Sequence, residues 1–122
     1  MRSIVGLLVV SMAMAIPSGA NAHAQLDHAI PPVGSTLTNP PPEVRIFFTQ
    51  SLDPQKSGIE VIATDGRSVT VDPAIVEHDD PRLMVLKLPP LPEGTYRVNW
   101  HTLSTDGGDH ALSGHYKFEI KH

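Results

Sequence analysis

An all-β fold, an antiparallel Greek-key β-sandwich of immunoglobulin-like or cupredoxin-like kind with about seven short strands, is predicted by three features of this 122-residue chain. Twelve prolines, many of them adjacent as in Pro31-Pro32, Pro40-Pro41-Pro42 and Pro89-Pro90, forbid long helices but suit short strands joined by stiff turns. Between them run stretches in which apolar and polar residues alternate. The segment "LPEGTY" sets Leu91, Gly94 and Tyr96 in the arrangement of a tyrosine corner, in which a tyrosine opening the penultimate strand bonds back across the turn.

The first element is not part of that fold. Arg2 gives a small positive start, Ile4 to Ile16 is almost wholly apolar, and Pro17-Ser18-Gly19 breaks the run before Ala20-Asn21-Ala22. This is the pattern of an export signal over residues 1–22, too short to span a bilayer comfortably, with cleavage after Ala22. His23 then becomes the first residue of a single domain over 23–122.

The strands follow in order. A first one is expected around Ala24 to Ala29. "EVRIFFT" (43–49) alternates with Val44, Ile46 and Phe48 on one face, and "GIEVIA" (58–63) does the same with Ile59, Val61 and Ala63, before a turn at "TDGR" (64–67). A weak strand is expected near 68–71. "LMVLKL" (83–88) is apolar at both parities, as a more fully buried strand would be. "GTYRVNWHTL" (94–103) points Tyr96, Val98 and Trp100 inward, with Trp100 near the core centre and its indole N–H in need of a partner. The last strand, 115–121, turns Tyr116, Phe118 and Ile120 inward. The stretch 104–114, "STDGGDHALSG", is left as the loop between the last two strands.

Composition narrows the function. Loss of Arg2 takes the nine basic side chains to eight against 13 acidic ones, moving the net charge from −4 to −5, so nucleic acid is not an expected partner. No second apolar stretch is long enough to enter a membrane, and a soluble monomer is expected. Cysteine is absent, so stability rests on packing and hydrogen bonds, and thiolates are removed from any list of ligands or nucleophiles.

In such a sandwich the start of the first strand shares a pole with the loop joining the last two. A terminal amine, the His23 imidazole, the carboxylates of Asp106 and Asp109 and the His110 imidazole can therefore converge there. The amine and ring of one residue chelate a single ion, and nitrogen and oxygen donors in tetragonal array suit Cu(II) best. Each loop residue alone reads more often as a turn former or a solvated side chain than as a ligand. Their conjunction with a terminal histidine is what points to metal. Among the other histidines, His78 reads as solvated, His101 and His115 lie on polar strand faces, His28 is a candidate outer partner of His23, and His122 is the mobile chain end. Met84 reads as core, so a thioether site for Cu(I) is not expected. Ser104 or Ser113 with His110 lacks the surroundings of a catalytic triad, and no catalytic residue is assigned.

The runs "HAQLDHAIPPVGSTL", "EVRIFFTQSLDP" and "LPEGTYRVNWHTLSTDGGDHALSGHYKFEI" resemble the CopC-like family of periplasmic copper-binding, copper-resistance proteins across nearly the whole chain after residue 22. The resemblance implies a cupredoxin- or immunoglobulin-like sandwich that holds Cu(II) through the N-terminal histidine and an Asp-x-His pair. His23 and His110 match those positions. For the carboxylate, counting forward from Trp100 selects Asp106, which is preferred, whereas counting back from His110 lands on Gly108, beside Asp109. The methionine-rich loop of some members is missing, which resembles the Cu(II)-only branch. A CopD-type inner-membrane partner is also implied.

The expectation is thus a periplasmic Cu(II) carrier or sequestering protein, not an enzyme. Two alternatives stand beside it: a copper oxidase or monooxygenase with a histidine-brace site, and a structural sandwich that binds no metal.

Overall fold

The structure, a computed structural model, describes residues 23–105 and 111–122. The segment expected to be an export signal, 1–22, lies outside the described residues. Eight strands are present among the described residues: β1 (Leu26–Ile30), β2 (Thr36–Leu37), β3 (Glu43–Phe48), β4 (Gly58–Ala63), β5 (Ile75–Val76), β6 (Leu83–Lys87), β7 (Gly94–Leu103) and β8 (Ala111–Ile120). They form two four-stranded sheets, ordered β1-β3-β6-β5 and β2-β8-β7-β4. All pairings are antiparallel except β2 with β8.

Alternation fixes which face of each sheet is buried. Val44, Ile46 and Phe48 of β3 meet Val98 and Trp100 of β7 and Phe118 of β8 in one apolar cluster. Phe48 and Trp100 touch edge to face across the sheets, their ring centres 5.2 Å apart. Met84 is fully buried, as its place in an apolar strand predicts. The Tyr96 hydroxyl donates to the Pro92 carbonyl at 2.7 Å, which is the corner expected from "LPEGTY".

Four local expectations need correction. β8 begins at Ala111, four residues before the expected start, so its first turn of alternation runs through Gly114. That glycine pairs with Trp100, and a Cβ there would lie 2.5 Å from the indole Cζ2; the position is vacant because the ring fills it. The weak strand near 68–71 is reduced to a bridge from Ser68 to Ile62, with the Val69 amide donating to Val61; the short strand is β5 instead. His28, a candidate outer partner of His23, does not keep the parity of Leu26 and has its ring engaged by other groups. A β-bulge between Leu26 and His28 breaks the strand parity, and the His28 ring lies exposed, stacked on Phe47 at 4.2 Å and bonded to the Asp27 carboxylate at 2.8 Å. His122 is tied down rather than loose: its Nδ1 bonds the Thr38 carbonyl at 2.9 Å and its amide donates to Glu93 at 3.0 Å.

Candidate metal centre

β7 and β8 pair continuously from Gly94 with Ile120 to Leu103 with Ala111. The connection between them is therefore residues 104–110. Its near side is braced by the segment that follows β3: Ser104 bridges Leu52, the Thr105 amide donates to Ser51 at 3.0 Å, and the Asp53 amide donates to Leu103 at 2.8 Å. The Ser57 hydroxyl accepts from the Leu103 amide at 3.2 Å. The hairpin thus ends on a rigid base.

The start of the chain's folded part is laid against that base. Gln25 and Thr49 exchange two bonds, the Gln25 amide donating to the Thr49 hydroxyl at 3.0 Å and the Thr49 amide donating to the Gln25 carbonyl at 2.9 Å. The same hydroxyl reaches the His23 carbonyl at 3.4 Å. On the other side, the Thr102 hydroxyl donates to the Ala24 carbonyl at 2.9 Å, and Ala24 itself is only 1% exposed. Thr102 is the last but one residue of β7, and its partner in β8 is Leu112. His23 is half-buried.

Of the four residues expected to hold metal, His23 is seated in this way. Asp106, Asp109 and His110 lie outside the described residues. Among the described residues no three histidines and carboxylates come close enough to hold an ion. His101 and His115 are exposed on the outer face of β7 and β8, as expected, and His78 is fully solvated beside Asp79. The two threonines that fix residues 23–25 were not singled out from sequence. A signal was present for one of them, since Thr102 continues the inward series Tyr96, Val98, Trp100 and so places a hydroxyl at a core position.

Donor chemistry separates hard from soft ions. The chain has no cysteine, and Met84, its one methionine after residue 22, is 0% exposed in the core. Thiolate is therefore absent, and among the described residues the one thioether is buried in the core, which leaves nitrogen and oxygen donors there.

Residues 26–121 match the CopC domain. The chain is 30% identical over 114 residues to copper resistance protein C of Pseudomonas syringae pv. tomato, covering 88% of each chain. It is 29% identical over 116 residues to protein YobA of Escherichia coli strain K12, covering 94% of this chain and 91% of that one. The crystal structure of CopC from Methylosinus trichosporium OB3b is similar with a TM-score of 0.75 and 31% identity, over 81% of this chain and 94% of that chain. PcoC from Escherichia coli, described as a methionine-rich copper resistance protein, is similar with a TM-score of 0.66 and 30% identity, over 82% of this chain and all of that one.

Proposed function

The chain belongs to the CopC domain family, and from that premise we propose that it is a periplasmic copper-binding protein that carries or sequesters Cu(II) without turning it over. What supports this reading is that residues 23–25 are bonded to Thr49 and to Thr102, the last but one residue of β7, and that the stretch of sequence between β7 and β8 includes Asp106, Asp109 and His110. Processing after Ala22 frees the His23 amine. That amine and the His23 ring chelate the ion, His110 supplies a second imidazole, and Asp106 supplies the carboxylate, with Asp109 as the alternative.

The preference for Cu(II) rests on the donors. An amine, two imidazoles and a carboxylate favour Cu(II) over Zn(II), Ni(II) or Co(II), whereas Cu(I) prefers the sulfur ligands that this domain keeps in its core or lacks. In this respect the chain differs from the methionine-rich PcoC it resembles. A carboxylate in the equatorial position leaves no open site for oxygen, which favours storage and delivery over oxidation. A membrane protein of the CopD type is the proposed recipient.

The test is a Cu(II) titration of the exported protein, with its first residue established by mass, followed by electron paramagnetic resonance. One equivalent of tetragonal Cu(II) with nitrogen hyperfine structure is expected. Asp106→Ala should weaken binding more than Asp109→Ala. Absence of stoichiometric binding refutes the reading, and equal negligible effects of the two substitutions remove the carboxylate from it.

A further inference from the structure

We infer that Thr102 and Thr49 form a two-hydroxyl seat that positions the His23 donors, an assignment that rests on the copper reading above. Thr102 stands at a core position, 1% exposed, where its neighbours of the same parity in β7 are Tyr96, Val98 and Trp100. A valine would fill that space without bringing a polar group into it. The hydroxyl is retained with a partner, as burial requires: it donates to the Ala24 carbonyl at 2.9 Å, with a longer approach of 3.5 Å to the carbonyl of Leu112. One side chain therefore touches both the segment that starts with His23 and the β8 strand that leaves the β7–β8 turn.

Thr49, in the bend just after β3, completes the seat. Its hydroxyl accepts from the Gln25 amide and reaches the His23 carbonyl, so the carbonyls of residues 23 and 24 and the amide of residue 25 are all engaged. The α-amine and imidazole of His23 branch from the next atom along the chain. With the peptide behind them fixed, that stretch of backbone does not remain to be ordered when the ion arrives. Ordering done during folding does not have to be repeated on binding. The two threonines thus act as positioning residues, through the backbone, on donors they do not touch.

The test uses the chain beginning at His23, the same chain with one added residue ahead of His23, and Cu(II) as the probe in competition with a chelator. Thr102→Val should lower Cu(II) affinity about tenfold, the order expected when the freedom of one residue must be lost on binding. Thr102→Ser, which keeps the hydroxyl, should stay within about twofold of the parent. Thr49→Val, at an exposed position that tolerates change, should lower affinity as well, and serves where Thr102→Val folds poorly. In the extended chain, where the amine is no longer the terminal donor, Thr102→Val and Thr49→Val should cost little or nothing. Equal affinity of the valine variants and the parent overturns the seat while leaving the copper reading intact. An equal loss in both backgrounds also overturns it, since that is general loosening of the fold. No binding by the parent chain removes the copper reading and the seat together.

Discussion

Two glycines in paired strands offer a matched perturbation whose outcomes should differ in sign. At Gly114 an added Cβ would lie 2.5 Å from Cζ2 and 2.9 Å from Cε2 of Trp100. That ring is rigid, buried and held against Phe48, so it cannot turn aside. At Gly58 an added Cβ would lie 2.7 Å from Cε1 of His101, but this imidazole is exposed and rotates away into solvent. Alanine in a strand recovers about 0.5–1 kcal/mol of backbone entropy relative to glycine at either site. Overpacking a core costs about 1–3 kcal/mol. Gly114→Ala should therefore destabilise by roughly 1–2 kcal/mol after the entropy is recovered, lowering Tm by about 4–8 °C for each kcal/mol in a domain of this size. Gly58→Ala should be neutral or stabilising by up to about 1 kcal/mol. Urea denaturation followed by the emission of Trp100, the single tryptophan, reads both, and the native emission should shift only in the Gly114 variant. A Gly114→Ala protein as stable as the parent, or equal shifts in the two variants, would refute the packing described for the β7–β8 hairpin.

Other expectations concern polar groups in the core and the ion itself. Tyr96→Phe removes the bond to Pro92 and should cost about 0.5–1.5 kcal/mol in urea denaturation, with the fold retained. The Tyr116 hydroxyl is buried without a hydrogen-bond partner among the described residues, and burial pushes its pKa well above the ordinary tyrosine range. Because the folded chain keeps this proton after the unfolded chain loses it near pH 10, its contribution to stability is intact below pH ~10 and declines above it. Tyr116→Phe should leave neutral-pH stability equal or raised by up to about 1 kcal/mol and should flatten the alkaline decline; a clear loss at pH 7 would mean that the hydroxyl has a partner. Cu(II) affinity should fall on acidification, because protons compete with the ion for the amine and imidazole nitrogens, as checked by titrations from pH 8 to 5.

Strong alternation made most of the sandwich legible. β3, β4 and β7 were readable to within a residue because each has three or more inward apolar residues at period two, and the corner at Tyr96 because leucine, glycine and tyrosine hold fixed offsets. What escaped was decided by tertiary contact. β2 and β5 contain two residues each, too few to carry a period. The start of β8 was hidden because its inward position at Gly114 carries no side chain, the Trp100 ring taking the space. The bulge at Asp27 reversed the face on which His28 emerges, and nothing in "LDHAI" announces it. At the candidate site, the sequence points to His23 only through the pattern of an export signal. The seat beneath it was not legible, since Thr49 and Thr102 act on residues 26 and 78 positions away in the chain.

The central claim is that a primary amine at residue 23 is itself a copper donor, and one comparison addresses it most directly. Two preparations, one starting at His23 and one starting at Ala22, are titrated with Cu(II) against the same chelator and examined by electron paramagnetic resonance. The account predicts a loss of at least about a hundredfold in affinity for the Ala22 chain, since removing a chelating nitrogen costs more than one tenfold step, together with a changed nitrogen hyperfine pattern. Equal affinity and identical spectra for the two chains would contradict it.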